Sequence, residues 1–407
     1  MSSFTWLDYS EHERRKMLDV VDQFRERDTR DELGLGSIRD SFADQLFPGT
    51  STIMTRARYF LLVAWTYQRL ESKQVSSAQI ASRARRAETE LIDVIEESDD
   101  HDGNIGRFAK TTLKRLPSSV YWQGLGVWGI RAFAGSQSQY HRSLDRHYLL
   151  ASRHGRRTQE RDEEHDDLAS SNWHAGLLPA PADFPDRCSL SLSRAEAEYV
   201  AERIRLSPLC AGSLLAELVA RGRSGDTVEF AWEHPDVGEL PAKLRELLLH
   251  ARNFSEVMHG AALLYNLILA EQAKWKDGIA TYREALATWA KTLVTRARVF
   301  SEWNRQRFWE IVRIGNPRIS AGSQAFVTAW IDLALAGDAA RIHRSQPAWT
   351  LIRDREKRLK RSLARIDNPR AQELWNGDSG SGQLEFRWRI SQRLLTDIFD
   401  GMEAKDA

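Results

Sequence analysis

The sequence predicts an all-α, mainly helical protein with two helical domains joined by a charged, proline-rich linker. Along most of the chain, apolar residues recur every three or four positions, which is the spacing of one helix face. The helix-start signature of a serine followed three residues later by a glutamate occurs at Ser10–Glu13 and Ser193–Glu196. This periodicity is lost from 153 to 186, where the chain is charged and then rich in Pro and Ala. The expected organisation is an N-terminal helical domain over 1–152, a linker or long surface loop over 153–190, and a C-terminal helical domain over 191–407.

Capping residues and turns delimit the helices of the N-terminal domain. Thr50 or Ser51 is expected to act as N-cap, because its side-chain oxygen can accept a hydrogen bond from an amide two or three residues on. Glycines and Pro117 are expected to break the region after residue 104 into two or three short helices. The other helices expected here follow Ser10, cover 38–47, cover 51–72, run from Ser76 or Ser77 to the acidic turn at 96–104, and cover 136–151.

The C-terminal domain shows the same periodicity. Pro241 suits the first position of a long helix, because its missing amide hydrogen is not needed there. The alternating run at 226–232 indicates one short strand, and the Gly- and Ser-rich run at 376–382 indicates a flexible joint. No regular repeat of helix pairs occurs, which argues against a solenoid. The helices expected here run from Ser193 to about 206, across 214–219, from 241 through 268, and near 278–311, 322–336, 347–366 and 384–400.

Composition excludes several classes of protein. The 407 residues are 42% hydrophobic and 28% charged, as in globular domains, and the net charge of +1 gives no global signal for nucleic acid. Two cysteines, Cys188 and Cys210, form neither a disulfide framework nor a zinc set and are expected to be buried free thiols. The longest apolar run, around 59–65, is far shorter than the roughly 20 residues of a membrane span, and the first residues lack an apolar signal region. We therefore expect a cytoplasmic protein without membrane contact.

A glycine motif invites comparison with nucleotide-binding sites. Gly124, Gly126 and Gly129 match G-x-G-x-x-G, which holds a pyrophosphate only where a buried strand leads into a helix. The preceding residues contain a proline and no strand-like run, so close helix packing or a turn is the better interpretation. No cofactor is predicted.

A second cluster could suggest metal binding. His141 and Asp145 share a helix face, but His147 lies six residues beyond His141 and points elsewhere. Metal sites need three or four converging ligands, and no further group matches these, so no metal is predicted. Ser-His-Asp, HExxH, P-loop and restriction-type D…ExK patterns were not recognised either, and no catalytic residue is assigned.

Local charge segregation is the strongest functional signal. Residues 104–161 contain eleven basic and two acidic residues with aromatic residues interleaved, and residues 341–370 contain ten basic and three acidic residues. Such strips suit phosphate backbones, since binding releases counterions, and aromatic rings stack on unpaired bases. The alternative is solvated helix faces, or faces paired with nearby acidic runs. The candidate phosphate-binding residues are Arg107, Lys110, Lys114, Arg115, Arg131, Arg142, Arg146, Arg355, Arg358 and Arg361.

The start of the helix expected at 51–72 is a further candidate anion site. Free amides and the helix dipole attract an anion there, and Arg56 or Arg58 could complete the site with Thr50 and Ser51. The alternative is a capped core helix whose arginines pair with carboxylates of the preceding helix, Asp40 or Asp44.

Four stretches together resemble an uncharacterised family of bacterial proteins, a domain of unknown function that spans essentially the whole chain. The resemblance implies a role in anti-phage or foreign-DNA defence, because members lie beside helicase and nuclease genes in defence islands. It carries no catalytic residues. The stretches are "DELGLGSIRDSFADQLFPGTSTIMTRARYFLLVAW" (31–65), "YWQGLGVWGIRAFAGSQSQYHRSL" (121–144), "LLYNLILAE" (263–271) and "FRWRISQRLLTDIFDGM" (386–402).

The favoured hypothesis is a non-catalytic helical subunit of a bacterial defence system that binds DNA through the basic strips and docks on a helicase or nuclease partner. One alternative is a scaffold or regulatory subunit that contacts only protein, using its 14 tryptophans and its exposed arginines at interfaces. Another is a cryptic metal-dependent nuclease whose carboxylates are brought together only by the fold.

Overall fold

The computed structural model describes residues 31–158, 171–223, 228–336 and 338–404. The secondary structure of these residues is helical, and the only β pairing among them is an isolated antiparallel bridge between Arg131 and Trp173. The all-α prediction is therefore confirmed. The helix expected after Ser10 lies outside the described residues. The α-helices are α1 (Gly36–Leu46), α2 (Tyr59–Ser72), α3 (Ile80–Glu96), α4 (Pro117–Val127), α5 (Gln137–Thr158), α6 (Arg194–Leu206), α7 (Leu214–Arg221), α8 (Ala242–Gln272), α9 (Lys276–Thr295), α10 (Ala297–Ser301), α11 (Arg305–Gly315), α12 (Ala321–Leu335), α13 (Gln346–Lys360), α14 (Pro369–Gln372) and α15 (Trp388–Glu403).

The chain divides into two compact units, and each unit combines two separate segments. The first unit contains residues 1–42 and 247–384, and the second contains residues 43–246 and 385–407. The described part of the expected linker, 171–190, falls within the second unit. The predicted division into domains at 152 and 191 stays a prediction.

Helix α2 forms the centre of the second unit. It is buried along nearly its whole length, and Phe60 stacks on Trp128 with 3.8 Å between ring centroids. Helix α3 packs on α2 through an apolar stripe that contains Ile80, Leu91 and Ile95. The opposite side of α3 stays in solvent, which determines where its basic residues lie.

The long helix α8 supplies much of the core of the first unit. Its apolar stripe is buried, as predicted from the spacing of residues 244–268. Two tryptophans pack along it with their indoles hydrogen-bonded: Trp289 Nε1 donates to Glu256 O at 2.7 Å, and Trp330 Nε1 donates to Val257 O at 2.9 Å. The indole N–H group of each buried tryptophan thus has a hydrogen-bond acceptor in the core, as is usual for buried tryptophans.

The predicted helix over 51–72 begins later than expected, at Tyr59, so the assignment of Thr50 or Ser51 as its N-cap was wrong. Side chains from distant parts of the chain bind the backbone amides of residues 55–57. Tyr121 Oη accepts from the amides of residues 55 and 56 at 2.9 and 3.1 Å, and Asp397 Oδ2 accepts from the amide of residue 57 at 2.7 Å. These tertiary hydrogen bonds take the place of helical ones, which local sequence could not show.

Several other boundaries differ from the prediction. The helix expected over 278–311 is three helices, and Asn304 caps the third by accepting from the Arg307 amide. Pro241 precedes α8 rather than opening it, although its carbonyl accepts from the amide of Leu244 at 2.9 Å. The described residues of the expected strand, 228–232, form no strand. The capping box at Ser193–Glu196 is confirmed at the start of α6.

Candidate nucleic-acid interface

Arg56, expected at an anion site, is instead buried between two carboxylates. Its Nε donates to Asp397 at 2.8 Å, and its two terminal nitrogens donate to the two oxygens of Asp100 at 2.7 and 2.6 Å. Burial acts to lower the pKa of Arg56, but the two carboxylates more than offset it and keep the pKa above its ordinary value. Hydrogen bonding to Arg56 holds the pKa of Asp100 below its usual value. The guanidinium therefore serves the fold of the second unit.

The neighbouring candidates are also engaged internally. Arg58 donates to Glu196 at 2.8 Å, so its expected pairing with Asp40 or Asp44 was wrong. Thr50 Oγ1 donates to the backbone carbonyl of the third residue before it at 2.7 Å, which turns its hydroxyl back towards α1. Ser51 Oγ is buried and has no hydrogen-bond partner among the described residues. The four side chains do not converge on an exposed anion site.

The first basic strip is partly neutralised by α3. Arg107 pairs with Glu96 at 2.7 Å, and Lys110 pairs with Asp93 at 3.0 Å. Arg131 is buried; it donates to two backbone carbonyls, and its guanidinium lies 4.7 Å from the centroid of the Trp122 ring. The strip's final arginines, from 153 onwards, lie outside the residues whose side chains are described.

The second basic strip is partly neutralised within the first unit. Glu32 pairs with Lys360 and Arg365, and Asp367 pairs with Arg353 and Lys357. Arg355, a candidate residue of this strip, is buried. Its Nε donates to the carbonyl of residue 33 at 2.8 Å, and its Nη2 donates to the hydroxyl of residue 323 at 2.9 Å.

The remaining candidates are exposed. Arg115 interacts with another group of the chain, whereas no ion pair is found for the other exposed candidates within the described residues. In the second unit these are Lys114, Arg115, Arg142 and Arg146, and in the first unit they are Arg358 and Arg361.

A groove in the second unit adds four basic residues that sequence reasoning missed. The groove lies between the end of α2, one face of α3 from Arg83 to Val94, and the 184–186 segment, and its volume is about 830 Å³. Arg69 and Lys73 come from the α2 side, and Arg83 and Arg86 come from α3. Two carboxylates, Glu90 and Asp186, also line it.

The positions of the groove cations follow from helix geometry. Arg83, Arg86 and Glu90 recur at intervals of three and four, so they share one face of α3 beside its buried stripe. Arg86 pairs with Glu90 at 2.7 Å. Within the described residues, the side chains of Arg69, Lys73 and Arg83 make neither an ion pair nor a hydrogen bond, so their charges are available to a ligand.

Two exposed parts of the first strip lie beside α3 or beside the connection that leads into it. The Ser77 amide donates to Asp145 at 2.8 Å, which holds α5 with Arg142 and Arg146 beside the α2–α3 connection. On another side of α3, Arg85 donates to the carbonyl of residue 113, immediately before Lys114 and Arg115. The basic surface of the second unit thus extends on both sides of α3.

The glycine motif serves close packing and a turn, as expected from the sequence. A Cβ on Gly124 would lie 2.3 Å from the Gly49 carbonyl oxygen, and Gly129 has φ of +69°, so the glycines serve packing and a turn. His141 stacks on Tyr67, and burial lowers the pKa of this histidine to about 4. In the described part of the chain, no group of three or more His, Cys, Asp and Glu residues is arranged to hold a metal ion.

The two cysteines are free: Cys210 is buried and Cys188 is half-buried. Burial raises the pKa of each thiol to about 11, so neither is a ready nucleophile. Among the described helices, none is both long enough and apolar enough to cross a membrane.

Comparison with known proteins gives a match to one sequence family, and this match covers nearly the whole chain. No curated protein and no solved structure is significantly similar to this chain. A sequence profile of a family described as a family of unknown function, DUF6361, matches residues 1–402 of the 407. The chain therefore belongs to the DUF6361 family of unknown function.

Proposed function

We propose that the protein binds the phosphate backbone of DNA through the basic surface around α3 and that it acts as a non-catalytic subunit of a bacterial defence system. The observation that carries the DNA-binding part is the groove, where Arg69, Lys73 and Arg83 are exposed and lack carboxylate partners within the described residues. Unpaired cations in a concave surface concentrate the local positive potential.

The distribution of paired and unpaired charge supports this location. Four of the ten cations of the second strip are held by Glu32 and Asp367, and Arg56 and Arg58 are held by carboxylates of the second unit. A polyanion gains most from cations that give up no internal partner on binding. Arg69, Lys73 and Arg83 in the groove meet this condition within the described residues, as do Arg142, Arg146 and Lys114.

The proposal is tested by titrating the full chain with a fluorescent DNA duplex and a single strand of equal length over a range of salt concentrations. The slope of log K against log salt measures the phosphates neutralised, at about 0.9 per contact for duplex and about 0.7 for single strands. In the double variant R69E/R83E, we expect the slope to fall by about 1.4 to 1.8 and the affinity to fall at least about tenfold.

A matched control has the same change in charge elsewhere in the second unit. Arg194 and Arg205 lie exposed on α6 and do not line the groove. The variant R194E/R205E should bind DNA within about twofold of wild type, since its charges lie away from the ligand. Absence of salt-sensitive binding by wild type, or equal losses in the two double variants, would refute the proposal and favour a scaffold that contacts only protein.

The defence role, the cytoplasmic location and docking on a helicase or nuclease subunit belong to the same proposal and rest on the family resemblance. Arg358 and Arg361 are exposed in the first unit, which is distinct from the unit that holds the groove. We expect R358E/R361E to weaken capture of such a subunit in co-purification while leaving DNA affinity unchanged. Unchanged capture would remove these two residues from the docking surface.

A further inference from the structure

We propose that the groove accepts single-stranded nucleic acid and that one unpaired base stacks on Phe184. This inference rests on the proposed function of the groove and specifies the form of its ligand. It starts from the 184–186 segment, which adds a half-buried aromatic ring to a groove whose cations come from α2 and α3.

The Phe184 ring is held in place before any ligand binds. It packs against the Trp65 ring at 5.6 Å between centroids and 63° between planes. Trp65 Nε1 in turn donates to the Leu178 carbonyl at 2.7 Å, and the Phe184 amide donates to the Pro181 carbonyl at 3.0 Å. A ring already positioned in this way loses little conformational entropy when a ligand stacks on it.

Apolar side chains form part of the groove lining between the cations. Leu70 and Leu91 are buried beneath the groove, and Ala87, Val94 and Pro185 line it beside Phe184. A duplex keeps the faces of its bases stacked inside and presents sugars and phosphates to such a surface. An unpaired strand offers base faces to the ring and phosphates to the cations, and this combination is typical of single-strand binding sites.

The exposed cations of the groove favour a negatively charged ligand over an uncharged one. Arg69 and Lys73 stand on one side of the groove and Arg83 on another, with no carboxylate partner in the described parts of the chain. Phosphates on either side of a stacked base would therefore meet cations. The chemistry shared by DNA and RNA strands is the same at this level, so both are compared below.

The experiment measures binding of the full chain to oligo(dT), oligo(rU) and a DNA duplex by fluorescence anisotropy, each about 12 nucleotides or base pairs long, within the usual site range. Wild type should bind at least one homopolymer about tenfold more tightly than duplex. Because base stacking on an aromatic side chain is worth about 1–3 kcal/mol, F184L should weaken that binding about 5- to 150-fold and leave duplex binding unchanged.

F184L keeps an apolar side chain against Trp65, so the packing of the segment is retained, and near-UV circular dichroism checks the fold. The control is L209A, since Leu209 is 67% exposed in the same unit and lies outside the groove and both basic strips; its affinities should match wild type. Duplex binding as tight as single-strand binding, or F184L equal to wild type while R69E/R83E still reduces affinity, would overturn this inference alone. If the wild-type protein bound neither the single strands nor the duplex, the result would overturn the proposed function together with this inference.

Discussion

Glu88 on α3 gives a quantitative test of the packing beneath the basic surface. Its side chain is only 2% exposed; Oε2 accepts from the Ser118 amide at 2.7 Å, and Oε1 has no partner among the described residues. Burial raises the pKa of Glu88 from 4.5 to about 7, against the opposing effect of its hydrogen bonds with Ser118. Since one pKa unit corresponds to about 1.4 kcal/mol, this difference amounts to about 3 kcal/mol of unfolding free energy.

The sign follows from which state holds the proton. Below pH 4.5 the carboxyl is protonated in both states, and between 4.5 and about 7 the folded state keeps a proton that the unfolded state has lost. Stability from this group is therefore fully present at low pH and is lost as pH rises through about 7.

We expect E88Q to lack this component, so its stability relative to wild type should increase by up to about 3 kcal/mol from pH 5 to pH 8. Urea unfolding followed by circular dichroism across that range measures the difference. E90Q, at an exposed position on the same helix, is the control and should retain the wild-type dependence. Parallel stability curves for E88Q and wild type would refute the reasoning.

Two substitutions test the internal contacts of the second unit. R56M should destabilise the protein by about 3–5 kcal/mol in urea unfolding, because it leaves Asp397 buried without its nearest cation; R393M, which removes a half-exposed cation 3.6 Å from Asp397, should cost less than about 1 kcal/mol, and equal losses would contradict this assignment. G124A should cost about 1–3 kcal/mol because its Cβ would lie 2.3 Å from the Gly49 carbonyl oxygen, although alanine is the better helix former; an unchanged melting temperature would show that the contact is not close.

Local pattern was sufficient for most helices but not for the fate of the charges. The capping box at Ser193 and the periodicity that indicated a helix before the acidic turn at 96–104 depend on residues three or four apart, and the structure contains both the capping box and α3. Arg56 pairs with acids 44 and 341 positions away, which no local count can reveal. Counting charge by segment likewise overestimated the second strip, because Glu32 belongs to a distant part of the chain.

The groove was missed for a related reason. Its lining comes from three separate segments, and neither Arg69 nor Arg83 stood in a run with a large excess of charge. The only local signal was the "SRARR" run at 82–86, whose spacing places two arginines on one side of a helix that is buried on the other. Phe184 lies in the region that the sequence predicts to be a linker or surface loop, and a single aromatic residue there gives no local signal of a binding site.

The pairing of Arg56 with Asp397 has a consequence for synthesis on the ribosome. The second unit needs α15, yet the 138 residues of 247–384, which belong to the first unit, must be translated between its two parts. Until residue 397 emerges, Arg56 and the amide of residue 57 lack a partner that they bind in the finished protein. The second unit therefore cannot finish folding before the first unit has been translated. Its core is completed only when α15, the last helix, has been synthesised and packs on the part made earlier.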